Sequence, residues 1–379
     1  MNLIYLIFFF LNLNIYYFFN TNKCKNNFLS FINEIKQKEI LIIEIKNKHG
    51  ECIPGYIKYF SILGYRNIEI LMTRELYNQN ILDFNHFKLE VNFLIFSHRE
   101  IDKFISLGMC NFYKICFLNT LDIGMLNLRK YLHSKHKFKS ILVLHSKNNL
   151  LKNDIIFNDI VVLKKFDKNL PFYEVNPHYF GHYEYHNYNK SKIINFITAG
   201  NISNQRKNFR LLIDSVINLL SNNIFNFHIT VIGKGFKKIK KLVLKKNLKK
   251  YISFTGRLSY SSMYELISKS DFFLALLDPN IHKQYISDHT SGSFQLSYGF
   301  NIPLIIEKTF ANFYNFNNNN SIVYNKNEDL YNKLKDAINL NTEEYKKIKE
   351  GLKLKQKEIE KISMLIYFFQ NNIFYFIYS

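Results

Sequence analysis

The sequence predicts an α/β protein of two Rossmann-like, doubly wound parallel-sheet domains facing a cleft. Three observations predict it. A chain of 379 residues, 47% of them hydrophobic, exceeds what one core usually covers and has material for two. Short β-branched, apolar segments recur along it in two series, alternating with polar turns and helical periodicities. Between the series, residues 166–192 carry Pro171, Pro177 and Gly181 without any period, which reads as a domain linker.

The first strand is ILIIEI, residues 40–45, followed by the polar loop KNKHGE and a helix with Ile53, Ile57, Phe60 and Leu63 on one face. Gly64 ends that helix, and IEILM (68–72) completes a βαβ unit. Further strands are expected at 91–97, 114–119, 140–146 and 159–165. The second series places strands at 194–200, 227–233, 251–256, 271–277 and 303–306, with helices at 209–220 and 262–270. The resulting division is an apolar N-terminal extension (1–38), a first domain (39–185), a second domain (186–355) and an aromatic-rich tail (356–379). The tail reads as a helix returning to the first domain or as a membrane-contacting segment.

Lys and Arg total 51 against 30 acidic residues, a formal net charge of +21 that favours anionic partners. No nucleic-acid-binding module is recognisable, so specific nucleic-acid recognition is not expected. Part of the basicity follows the Asn, Lys, Ile, Phe and Tyr bias of an AT-rich genome. Four dispersed cysteines without a Cys/His zinc spacing point to reduced thiols and no metal site. Residues 1–20 are almost wholly apolar but lack a basic n-region and are interrupted by Asn12 and Asn14, so they fit a membrane-contacting segment or an incidental extension equally. A cytoplasmic location, with or without membrane association, is the expectation.

Four expected strand ends in the second series carry small or polar residues: Gly200-Asn201 with Arg206 and Lys207, Gly233-Lys234, Gly256-Arg257, and the turn Asp288, Thr290, Ser291, Gly292, Ser293. Glycine after a strand permits close backbone approach to a ligand, nearby cations neutralise an anion, and a helix N-terminus opening on Thr, Ser and Gly suits a phosphate. In the first series, His49-Gly50-Glu51 follows the first strand at a position that faces the cleft. Residues 233–250 set nine lysines around Ile239, Leu242, Val243 and Leu248, either a solvated surface helix or one that meets anionic lipid or a lipid-linked acceptor.

The run from NFITAGNISNQRKNF through FHITVIGKG and ISFTGRLSYSSMYELISKSDFFLALL to TSGSFQLSYGFNIPLII resembles the donor-binding domain of GT-B glycosyltransferases, most closely the retaining family four, over about residues 193–340. The resemblance implies transfer of a sugar from a nucleoside-diphosphate donor, without metal or other cofactor, to a glycan or lipid-linked acceptor held by the first domain. It implies that Lys207 and Arg206 offset diphosphate charge, that residues 290–293 cradle donor sugar and phosphates, and that Asp288 orients the sugar. His145, at the end of a first-domain strand, matches the histidine that such enzymes place beside the donor. Two positions depart from the family: Asn201 stands where it has Arg, and Leu296 where it has the second of two glutamates. These departures leave open a degenerate relative that binds nucleotide-sugar or a partner without turnover.

Overall fold

The computed structural model describes residues 38–46, 49–79, 89–120, 139–146, 160–166, 172–181, 192–235, 237–325 and 330–370, together with Asn169, Tyr183, Tyr188 and Asn189. The apolar extension 1–37 and the last nine residues lie outside them, as does Cys24. Among the described residues no helix is long and apolar enough to cross a membrane.

The first domain is a seven-stranded parallel sheet in the order β3-β2-β1-β4-β5-β6-β7. Its strands are β1 (Lys38–Glu44), β2 (Asn67–Thr73), β3 (Glu90–Phe96), β4 (Tyr113–Leu118), β5 (Lys139–Leu144), β6 (Ile160–Val162) and β7 (Tyr173–Glu174). Among the described residues its α-helices are α1 (Ile53–Ile62), α2 (Arg74–Tyr77) and α3 (His98–Ser106). Alternation along β1 sends Ile40 and Ile42 into a core with α1, and Leu41 and Ile43 into a separate core with α3. A strand covered on both faces reads as a continuous apolar run, as Ile40 to Ile43 do.

The second domain is a six-stranded parallel sheet in the order β10-β9-β8-β11-β12-β13. It comprises β8 (Ile194–Ala199), β9 (Phe227–Ile232), β10 (Ile252–Gly256), β11 (Phe272–Leu274), β12 (Leu304–Glu307) and β13 (Ser321–Tyr324). Its helices are α4 (Phe209–Ser221), α5 (Lys237–Lys245), α6 (Tyr260–Ser268), α7 (Gln284–Ser287), α8 (Gly292–Phe300), α9 (Lys308–Phe313), α10 (Leu330–Asn339) and α11 (Thr342–Gln370). In each sheet the strand order reverses at the first strand, the switch point where such sheets bind ligands beyond their carboxyl ends.

Three expectations change. The strand expected over 271–277 stops at Leu274, because Leu276 adopts φ 52°, a left-handed conformation incompatible with a ladder. The Leu276 carbonyl instead accepts from Asn208 N at 2.7 Å, which ties this strand end to the turn after β8. The expected linker, residues 166–192, contains β7, and after it Val175, Asn176, Pro177, His178 and Phe180 are buried. A methyl on Gly55 of α1 would lie 2.5 Å from Pro177 Cβ, and one on Gly299 of α8 would lie 2.4 Å from the His178 carbonyl. Glycine on each helix thus admits the connection between the domains. Finally, α11 runs unbroken through the expected 355/356 boundary; its Glu360 pairs with Lys58 of α1 at 2.7 Å and Ser363 Oγ accepts from Asn176 N at 3.2 Å. Residues 356–364 therefore return to the first domain within one continuous helix.

Candidate active site

A cavity of about 1130 Å³ lies between the carboxyl ends of the two sheets. From the first domain, His49, Glu51, Thr120, His145 and Ser146 line it; from the second, Gly200, Asn201, Arg206, Lys207, Gly233, Lys234, Arg257, Thr290, Ser291, Gly292 and Ser293. Of the residues singled out in the sequence, Asp288 does not line it, nor do Gly50 and Gly256. The Asp288 carboxylate pairs with the His289 imidazole, and His289 lines the cavity in its place.

The three glycine turns form one ledge. Gly200 N donates to Ile232 O at 3.0 Å and Gly233 N donates to Gly256 O at 2.9 Å, so the ends of β8, β9 and β10 are stitched at one level. Gly200 and Gly233 have φ of 122° and 141°, conformations that L side chains rarely adopt.

Lys207 is buried beneath this ledge, and its Nζ donates to Ala275 O at 3.2 Å and to Ser293 Oγ at 2.9 Å. It thereby joins the turn after β8 to the first turn of α8. Burial pushes its pKa down to about 7. Helix α8 is capped by Ser291, whose hydroxyl accepts from Ser293 N at 3.4 Å. Beside Gly292 the space where a Cβ would stand is open.

The first-domain side is built on imidazoles. His49 and His145 stack at 3.8 Å with an interplanar angle of 7°, and His145 Nε2 lies 2.8 Å from Asn119 O. Burial first, and the adjacent His49 second, hold His145 well below the usual histidine range. Burial works to raise the Glu51 pKa, but His49, then Glu51's own backbone N–H and the Tyr260 hydroxyl, outweigh it and the carboxyl ends lower than usual. Tyr260, at the start of α6, donates to Glu51 Oε2 at 3.4 Å across the cleft. A backbone bridge between Ser146 and His289, and Gln295 Nε2 donating to Pro177 O at 3.2 Å, complete the seam.

The sequence reading missed Tyr260, Gln295, Asn119 and Glu44. Of these, only Glu44 left a signal, an acid inside the apolar run ILIIEI. It is fully buried and accepts from Asn119 Nδ2 at 2.6 Å, Thr120 Oγ1 at 2.5 Å and Lys46 N at 2.8 Å. Asn119 Nδ2 also donates to His49 O at 2.9 Å, so Glu44 braces the histidine pair. Burial raises its pKa from 4.5 to about 8 despite those bonds. The unfolded chain loses this proton first, so Glu44 lowers stability progressively as pH rises from 4.5 to about 8. Glu44→Gln stays neutral and is expected to flatten that decline; parallel urea-midpoint profiles for variant and wild type between pH 5 and 9 would contradict the assignment.

The charge is lopsided. Among the described lining residues the cations Arg206, Lys207, Lys234 and Arg257 all belong to the second domain, whereas the first contributes Glu51 and uncharged polar groups beside its histidines. No cluster of His, Cys, Asp and Glu suited to a metal occurs among the described residues.

Two facing parallel-sheet domains, with a cavity between their carboxyl ends and glycine turns beside a capped helix, are the architecture of GT-B glycosyltransferases. Residues 194–282, which contain the ledge and Lys207, match the family model described as glycosyl transferases group 1. A glycosyltransferase from Rickettsia africae is similar in structure over 90% of this chain and 100% of its own, with a TM-score of 0.59 and 13% identity. A TarM point mutant from S. aureus, in complex with fondaparinux, α-GlcNAc-glycerol and UDP, is similar over 87% of this chain and 99% of its own (TM-score 0.59, 12% identity). Anabaena HepE in complex with UDP is similar over 88% and 100% of the two chains (TM-score 0.57, 10% identity). No curated protein matches this chain in sequence.

Proposed function

We propose that the protein transfers a sugar from a nucleoside-diphosphate donor, bound by the second domain, to a hydroxyl of a glycan or lipid-linked acceptor at the first domain, with retention and without metal. The carrying observation is Lys207, buried beneath the glycine ledge and hydrogen-bonded to the first turn of α8. Its ammonium, with Arg206 and Arg257 on the cavity wall, supplies positive charge where a diphosphate leaves, the place where catalysis of this step needs it. Lys207 keeps the family's lysine position, and Arg206 stands in for the arginine that Asn201 replaces. Retention rests on the family resemblance; the UDP in the TarM and HepE structures supports a nucleotide donor.

Leu296, which lines the cavity where the family carries a glutamate, favours a second reading, a nucleotide-sugar binder without turnover. Incubation with a panel of nucleotide sugars separates them. Release of nucleoside diphosphate, with product stereochemistry read by NMR, supports the transferase; a donor-induced thermal shift without release supports the binder. Neither effect with any donor overturns both.

Gly292 offers a local check. A methyl there meets no protein atom within 4 Å, and the residue is helical, so Gly292→Ala leaves stability unchanged or raises it by about 0.5–1 kcal/mol. If phosphate or sugar occupies that space, donor affinity falls roughly tenfold, about 1.4 kcal/mol. Unchanged donor affinity would place the ligand elsewhere.

A further inference from the structure

The outer side of α5 carries a surface that the donor site does not use. Eight exposed lysines lie between Lys237 and Lys250, and residues 233–250 contain no acidic side chain. The 14 positions from 237 to 250 hold eight of the chain's 51 basic residues. A genome-wide bias toward lysine codons spreads lysine along a chain and does not concentrate it on one helix.

The geometry of α5 sorts its residues by face. Ile239 and Val243 pack into the core of the second domain, with Leu248 just beyond the helix. The opposite face presents Lys237, Lys240, Lys241 and, one turn on, Leu244, which is 46% exposed. An aliphatic side chain thus stands in the middle of the cationic face. At the far end, exposed Phe225 lies against Tyr251, with ring centroids 6.5 Å apart, and Lys250 Nζ sits 5.9 Å above the Tyr251 ring. At the near end, Lys234 lines the cavity between the domains.

We propose that this face docks the protein on an anionic lipid surface. Lysines attract acidic headgroups while their methylene stems lie along apolar surface, and Leu244 and Phe225 reach the headgroup–acyl boundary. A polyphosphate backbone such as RNA satisfies the lysines equally but leaves Leu244 without a partner, so the observations favour lipid. Because one end of the face is the cavity wall, a docked molecule holds that wall at the membrane. The inference is independent of the donor reading, since it requires neither nucleotide-sugar binding nor turnover.

The test is flotation of the full chain with phosphatidylcholine vesicles, alone or containing roughly one-third phosphatidylglycerol. Binding at least roughly tenfold tighter to the anionic vesicles is expected, with loss of that preference when Lys237, Lys240, Lys241 and Lys245 are all replaced by Gln. Replacing four exposed lysines elsewhere, Lys269, Lys308, Lys347 and Lys353, by Gln serves as the equal-charge control and should leave binding near wild type. Leu244→Ser with Phe225→Ser should weaken vesicle binding severalfold without changing affinity for a short RNA. Wild-type binding by the α5 variant, or equal loss in the control, overturns the proposal. So does tight RNA binding with no vesicle response to the Leu244 and Phe225 substitutions, which would assign the face to nucleic acid.

Discussion

Lys207→Met is expected to reduce turnover while making the empty protein more stable. Removing one positioned donor from developing negative charge typically costs about 10²–10³ in rate, and a loss below roughly tenfold, about 1.4 kcal/mol, would be too small for the role assigned here. The stability gain has a definite sign and pH window. Below about pH 7 the folded and unfolded chains both carry the proton, so the full cost of burying the charge is present. Between about 7 and 10.5 the folded chain releases it while the unfolded chain retains it, and stability rises with pH. The gain from Met is therefore largest near pH 6, on the order of a few kcal/mol, and shrinks toward pH 10. Urea unfolding of both proteins at pH 6, 8 and 10 reads it directly. A gain independent of pH would show that Lys207 is not a buried charge. A bound diphosphate would restore the Lys207 proton, so donor binding near pH 8 should be accompanied by proton uptake, measurable by calorimetry in buffers of different ionisation enthalpy.

Gly233→Ala should have the largest structural effect of any single methyl in the cleft. The added Cβ would lie 1.7 Å from the Gly200 carbonyl oxygen, a backbone atom that cannot swing aside, and φ is 141°. The ledge must open at its centre, at an expected cost above about 3 kcal/mol, with loss of any donor-induced thermal shift. Gly64→Ala is the matched control. It also has positive φ, 89°, but no atom within 4 Å, so only conformational strain of about 1–2 kcal/mol applies. Equal destabilisation of the two variants would show that backbone conformation, and not the approach of β8 to β9, sets the cost.

The cleft residues were legible in unequal degrees. Gly200, Gly233 and the Thr290 to Ser293 turn stood out because such turns recur along one series of strands; singly, each reads as an ordinary turn or cap. Lys207 was legible by position and its burial was not. A lysine two residues before a helix looks solvated until the Leu276 carbonyl is seen to draw that turn inward. Asp288 shows the opposite failure: the family resemblance placed it at the site, but the neighbouring His289 takes its carboxylate and occupies the cavity wall. Tyr260 left no signal, because its contact with Glu51 spans two domains.

By itself the sequence determined two parallel sheets, the strands that carry the ledge and the lysine-rich run at residues 233–250. Hydrophobic period and glycine placement are local properties, and they survive in a single chain without further information. Only the tertiary structure decided which polar groups are buried and what they meet. It turned residues 172–181 from a linker into the packed seam between domains, ended β11 at Leu274, stacked His49 on His145 and placed all four described lining cations on one wall. The physical reason is that burial, ionisation and hydrogen-bond partnership depend on segments far apart in sequence, whereas the tendency to form a strand or a turn is set within a few residues.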